Sequence, residues 1–308
     1  MILVTGSAGL LGRHVIALLE KAGHAVRTYD LRDHPGQDIR DLGMLAAAMD
    51  GIDGVIHLAA VSRVVWAQKD PALTRSVNTG GLKNLLGIAG SATRRPWVIF
   101  ASSREVYGEQ AKLPVAESAA MSPLNIYARS KVAGEVMMGE ARQNGLVANV
   151  VRLSNVYGCV QDHHDRVVPA YARAAATATA VRLEGPGNTF DFTHVDDAAR
   201  GLALMAEASS KRESLPNLHF VTGQGTTLRQ LAALAVAASD GTIACDEHAP
   251  RNYDVARFFG DPSLACSVLG WRAEVNIEQG FNRLVDDFRS VDDDAAAPLA
   301  SGVLPASR

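Results

Sequence analysis

Cysteine is scarce in this chain. Cys159, Cys245 and Cys266 are the only three in 308 residues, widely spaced and without a CxxC pair. That excludes a disulfide framework and points to a reducing compartment, the cytoplasm. No run approaches the roughly 18 uninterrupted apolar residues of a membrane span. Positive charge is not in surplus: 30 Lys and Arg against 33 Asp and Glu leave a formal charge of −3. A nucleic-acid or anionic-lipid partner would require a clustered basic excess, so neither is expected. No charged stretch precedes the apolar residues 2–5, which read as a buried strand, so no signal peptide is expected. With 47% apolar residues, the chain can bury roughly two domains' worth of core.

Short runs that are apolar on both faces, at residues 2–4, 25–29, 54–58, 97–101 and 147–153, alternate with amphipathic stretches at 10–21, 42–49, 71–89 and 123–143. Strands buried on both sides and separated by helices predict βαβ units, and from them an α/β fold with a doubly wound parallel sheet of Rossmann type. After Gly158 the rhythm breaks: apolar pieces at 218–222, 228–238 and 277–288 come in a less regular order, with a late return to the sheet expected at 218–222. The expected division is a discontinuous dinucleotide-binding domain (1–158 and 191–224) and a smaller substrate domain (159–190 and 225–290). The segment 291–308, without aromatic residues or periodicity, is expected to be disordered.

The sequence TGSAGLLG (5–12) joins the first strand to the first helix. Gly6, Gly9 and Gly12 permit a tight turn and a close approach of backbone to a pyrophosphate, which the helix N-terminus then favours. Asp30 ends the second strand, where a carboxylate accepts from ribose hydroxyls and repels a 2′-phosphate; this favours NAD over NADP. Arg32 lies two residues further on. The competing reading of Asp30 is a solvated turn residue.

Tyr127 and Lys131 lie four residues apart in a helical pattern and so share a face. A phenol titrating near ~10 is a poor base at neutral pH. A neighbouring cation and an oxidised nicotinamide ring would both favour its phenolate. Ser102 and Ser103 follow the fourth strand at the carboxyl end of the sheet, where open α/β folds bind ligands. YxxxK alone also fits an ordinary amphipathic helix.

Together with HLAA (57–60), SSREVYG (102–108), YARSK (127–131), RLSNVYG (152–158), DFTHVDD (191–197), PRNYDV (250–255) and LGW (269–271), these elements make the chain resemble an extended short-chain dehydrogenase/reductase. The subgroup it resembles is the NAD-dependent epimerase/dehydratase family, which includes UDP-galactose 4-epimerases. The resemblance implies that Ser103, Tyr127 and Lys131 form a catalytic triad, with Tyr127 as the base. It also implies that Leu10 and Leu11 meet the pyrophosphate, that Asp41 and Leu42 flank the adenine, and that Leu58, Ala59, Ala60 and Ser62 line the nicotinamide half. Asn155 would contact the nucleotide sugar, and Arg251 would clamp its diphosphate. The function so implied is C4 epimerisation of a UDP-sugar through a 4-keto intermediate on tightly held NAD. The alternatives are a sugar dehydrogenase or ketoreductase that releases its cofactor, and a non-catalytic NAD-binding scaffold. Helices 71–89 and 123–143 resemble the pair that builds a homodimer interface in the family.

Three departures stand out. Phe190 replaces an arginine common at that position, and Cys159 replaces a proline. Arg104-Glu105 stands where dehydratases carry Asp-Glu, which disfavours dehydration. The remaining polar residues receive structural readings. His163-His164-Asp165 is expected to be a polar loop, with no metal site expected in the chain. Asp196-Asp197 are read as helix-capping acids, and His57 and His194 as satisfied core residues. Phe258 is read as core packing or a substrate gate, and Lys83, Arg94 and Arg95 as a solvated face.

Overall fold

Residues 2–5 alternate toward two apolar layers and form β1 (Ile2–Thr5), buried throughout. The computed structural model describes residues 1–249 and 255–290; Arg251 and the segment 291–308 lie outside the described residues. The chain continues through α1 (Leu10–Lys21), β2 (Val26–Tyr29), α2 (Leu42–Met49), β3 (Gly54–His57), α3 (Val64–Lys69) and α4 (Pro71–Thr74). A π-helical turn, Arg75–Gly81, runs into α5 (Leu82–Ser91), followed by β4 (Trp97–Ser103), a 3₁₀ turn Arg104–Tyr107, α6 (Ile126–Gln143) and β5 (Ala148–Leu153). Beyond it come β6 (Asn155–Tyr157), α7 (Val167–Thr177), β7 (Val181–Glu184), β8 (Thr189–Phe190), β9 (Phe192–His194), α8 (Val195–Ser210) and β10 (Leu218–Phe220). The described chain ends with β11 (Thr226–Thr227), α9 (Leu228–Ala238), β12 (Cys245–His248), α10 (Ser263–Leu269) and α11 (Ile277–Ser290).

Six strands form one sheet in the order β10-β5-β4-β3-β1-β2, every pairing parallel. The expected Rossmann-type fold is what forms, and β10 is the late return to the sheet. One apolar layer covers the sheet through Val15, Leu19, Leu202, Met205 and Trp271, the other through Leu45, Leu82, Leu85 and Met138. A separate core gathers Tyr171, Leu183, Leu231, Phe281 and Leu284 from α7, β7, α9 and α11. No helix among the described residues is long and apolar enough to cross a membrane.

Two elements differ from the periodicity. The stretch 71–89 is not one α-helix: its middle widens into the π turn. There Gly81 lies so close to Ile39 that a Cβ would sit 2.5 Å from its Cγ2, and Asn78 turns its side chain onto the loop that follows β3. Such wide turns concentrate at functional sites. The fourth strand also runs two residues further than its apolar run, because Ser102 and Ser103 stay in register with Arg152 and Leu153 of β5.

The acids of DFTHVDD hold the second core to the sheet. Asp191 is fully buried and accepts from Thr222 N (2.8 Å), Thr222 Oγ1 (2.9 Å) and Gly223 N (3.0 Å). Asp197 does not serve as the cap that its position suggests. Its carboxylate accepts from Glu274 N (3.0 Å), Val275 N (2.9 Å) and Arg200 (2.7 Å), anchoring the segment after LGW. The cap of α8 is His194, whose Nδ1 accepts from Asp196 N at 3.3 Å; a side-chain acceptor on a residue with extended dihedrals outcompetes acids already inside the first turn.

Candidate active site

A cleft of about 990 Å³ opens at the carboxyl end of the sheet, within the size range of cofactor and ligand sites. Strand order reverses between β1 and β3, and there Gly6 takes φ +72° with its Cα against the β3 loop. A Cβ on Gly6 would sit 2.7 Å from Ala59 N, and one on Gly12 would overlap the carbonyls of Gly6 and Ser7. Only glycine fits either place, and the result is a bare backbone cradle at the start of α1, where free N–H groups and the dipole favour phosphate. Gly6, Gly9, Leu10, Leu11 and Gly12 all line the cleft, as do Asp30, Leu58, Ala59, Ala60 and Ser62. The Asp30 carboxylate accepts from Ala8 N (3.0 Å) and Arg32 N (2.9 Å), which fixes it at the mouth of the turn instead of leaving it as a loose solvated residue.

The pair implied for the adenine lies off the cleft wall. Asp41 and Leu42 are not among the cleft-lining residues. The Asp41 side chain accepts from Met44 N (3.0 Å) as the N-cap of α2, and Leu42 is 57% exposed. Asp38 and Ile39, one short turn earlier in the repeated Asp-aliphatic pattern, line the cleft instead. Helix capping claims the second aspartate because the first turn of α2 has unsatisfied N–H groups to offer it.

Ser103, Tyr127 and Lys131 converge on the floor of the same cleft. Their placement follows from local structure. Asn125 caps α6 by accepting from Ala128 N (2.8 Å) and donates to Glu105 Oε2 (2.9 Å), tying the start of α6 to the 3₁₀ turn after Ser103. Lys131, one turn after Tyr127, donates through Nζ to Ala101 O at 2.8 Å and lies 4.8 Å from the Phe100 ring centre. Burial pushes the Lys131 ammonium down to about 7. Burial likewise pushes the Tyr127 phenol up to about 12, with the Ser103 hydroxyl as the first counterweight. The chain's own groups therefore hold Tyr127 protonated at neutral pH, and the expected lowering by Lys131 is not among the influences on the phenol, which are burial, Ser103, Glu105, Arg166 and Arg104.

Asn155 and Phe190 line the opposite wall. Arg251 lies outside the described residues. The loop carrying His163, His164 and Asp165 closes over the mouth: Asp165 takes both terminal nitrogens of Arg63 at 2.6 Å each, and His163 meets the edge of Trp66 at 4.7 Å. Among the described residues no cluster of His, Cys, Asp or Glu could hold a metal ion. His57 is only half satisfied: Nδ1 pairs with Thr5 Oγ1 at 2.7 Å, while Nε2 has no partner among the described residues. Phe258 is 1% exposed, stacks on Tyr107 (5.9 Å) and is not part of the cleft wall, which supports packing over gating.

Asn78 escapes any motif. From the π turn it accepts from Val61 N (2.8 Å) and donates to Val61 O (3.2 Å) and Ser130 Oγ (2.9 Å). It thereby joins the loop after β3 to the helix of Tyr127. The only sequence sign was an amide two residues before a glycine pair inside a predicted helix.

Fold and site together define an extended short-chain dehydrogenase/reductase with a dinucleotide cleft and a Ser–Tyr–Lys cluster. The profile of the NAD dependent epimerase/dehydratase family matches residues 2–219, and the chain belongs to that family. It is similar to a UDP-glucose 4-epimerase of Mycolicibacterium smegmatis, with 28% identity covering 94% of this chain and 98% of the relative. It is also similar to UDP-glucuronate 4-epimerase 2 of Arabidopsis thaliana, with 30% identity covering 92% and 74%. Among solved structures, the UDP-glucose 4-epimerase of Thermus thermophilus in complex with NAD superposes with a TM-score of 0.85 at 28% identity, covering 94% of this chain and 99% of the other.

Proposed function

We propose that this protein inverts C4 of a nucleotide sugar, most simply a UDP-sugar, through a 4-keto intermediate. The observation that carries this reading is the convergence of Ser103, Tyr127 and Lys131 between the glycine cradle and the Asn155–Phe190 wall of one cleft. The cradle at Gly6 and Gly12, where a Cβ would collide with backbone, together with the fixed carboxylate of Asp30, fits NAD. When bound there, NAD supplies the hydride acceptor and donor.

The chain's own residues then have distinct tasks. Tyr127 exchanges a proton with the sugar O4, and Ser103 bridges the phenol and that oxygen. Lys131 has three donors and gives one to Ala101 O, leaving two for ribose hydroxyls. Its ammonium, once paired to the ribose and facing the reacting oxygen, stabilises the phenolate. Inversion requires the keto sugar to show both faces in turn. The nucleotide must therefore stay held by residues 159–190 and 225–290 while the sugar end turns free.

Both UDP-glucose and UDP-glucuronate 4-epimerases among the relatives support the reaction class. The test is incubation of the NAD-loaded protein with UDP-glucose, UDP-galactose, UDP-glucuronate and UDP-N-acetylglucosamine, followed by NMR of the C4 proton. Inversion of one of them is expected; inversion of none rejects the reading. The three free cysteines support a cytoplasmic setting. A homodimer through α5 and α6 is supported by Val136, 53% exposed on α6, and by the open space around Gly87 and Gly139; a monomer mass in light scattering rejects it.

A further inference from the structure

Arg104 follows Ser103 directly, lines the cleft and is 8% exposed. One terminal nitrogen, Nη2, pairs with Glu105 Oε1 at 2.8 Å. The guanidinium carbon lies 5.0 Å from the Phe190 ring centre and 5.6 Å from that of Phe258. The other nitrogen, Nη1, is buried and has no hydrogen-bond partner among the described residues. Other guanidinium groups of the cleft differ: Arg63 is closed on Asp165, Arg166 on Asp162, and Arg32 donates to Ala8 O.

Leaving a charged donor buried without an acceptor is costly, and native sites seldom do so unless something else completes them. Glu105 does not reach Nη1: Oε1 meets Nη2 and Oε2 takes the Asn125 amide, and neither oxygen lies within hydrogen-bond distance of Nη1. The two aromatic rings flank a flat cation and hold its plane, and a guanidinium fixed on one edge presents its remaining donors in a geometry matched to carboxylate or phosphate.

We propose that Arg104 is a substrate-binding residue that donates through Nη1 to an oxyanion of the bound nucleotide sugar. This rests on the nucleotide-sugar reading above. Two groups of such a substrate share that chemistry: a carboxylate on the sugar ring beside Ser103, and the sugar-side phosphate of the diphosphate. Either would complete the guanidinium's hydrogen bonding and oppose the charge that Glu105 alone balances.

The test is calorimetric titration of the NAD-loaded protein, wild type and Arg104→Met, with UDP, UDP-glucose and UDP-glucuronate. A loss of tenfold or more confined to UDP-glucuronate supports a carboxylate ligand, and a similar loss for all three supports the phosphate. Dissociation constants within twofold of wild type for all three overturn the proposal. If Arg104→Met does not retain NAD, Arg104→Gln, which keeps length and polarity without charge, is titrated in its place, and the same fold-changes support or overturn the site. The epimerase and the oxyanion site fail separately. Binding without C4 inversion of any sugar rejects the epimerase and leaves the oxyanion site, whereas inversion with an indifferent Arg104 rejects only the site.

Discussion

Lys131 Nζ lies 5.7 Å from the centre of the Tyr127 ring, yet its hydrogen bond goes to the Ala101 carbonyl. The pair shares a helix face as the four-residue spacing predicts, but the phenol and the amine are not directly bonded. What brings them into one reaction is whatever occupies the cleft between them.

Tyr127→Phe removes the proposed acid–base group and leaves the cradle intact. C4 inversion is expected to fall by about 10² to 10⁴, the usual contribution of a positioned acid or base, while NAD stays bound through desalting. Turnover within tenfold of wild type would remove Tyr127 from its assigned role.

A buried amine held near 7 has a definite linkage sign. The unfolded chain binds this proton up to its ordinary value near 10.5, while the folded chain releases it near 7. Lys131 therefore destabilises the protein most below pH 7, and the penalty fades as pH rises toward 10. Lys131→Met, tested without added NAD, is expected to melt higher than wild type at pH 6, with the gap narrowing by pH 9 and turnover abolished at both. A gap that is constant with pH would place the charge outside the buried setting.

Asp30→Ala deletes the acceptor of Ala8 N and Arg32 N together with the proposed ribose partner. NAD affinity is expected to drop about tenfold or more, and the preference over NADP to shrink, as read by fluorescence titration of the two reduced forms. An undiminished preference would assign discrimination to another residue.

The Arg63–Asp165 clasp bridges the two walls, and Arg63 is only 12% exposed whereas Asp165 is 65% exposed. Asp165→Asn is expected to raise the rate of NAD exchange severalfold, and salt should have the same effect on wild type but little on the variant. Stability should change by less than about 1 kcal/mol, as for other pairs with an exposed partner. Unaltered exchange rates would show that the mouth opens elsewhere.

The sheet was readable because its strands are buried on both faces and its helices keep their period, so local pattern and tertiary environment agree. The glycine turn was readable for a different reason: sterics at Gly6 and Gly12 leave no other residue. Legibility failed where two local signals compete for one residue type. Asp38 and Asp41 both precede an aliphatic residue, and only the packing of α2 decides which one caps a helix. His194 and Asp197 likewise exchanged the roles expected of them, because the partners of Asp197 lie 77 and 78 residues further along the chain. The free nitrogen of Arg104 depends on the positions of Phe190 and Phe258, which no spacing in SSREVYG encodes.

Asn78 fastens the loop at Val61 to Ser130 in the same helical turn as Lys131. The loop after β3 and the helix of Tyr127 are thereby riveted into a single frame. Any breathing that admits a ligand must consequently be borne by the opposite wall, and an amide exchange experiment should find the slowest protons beside Asn78 and faster ones across the gap from it.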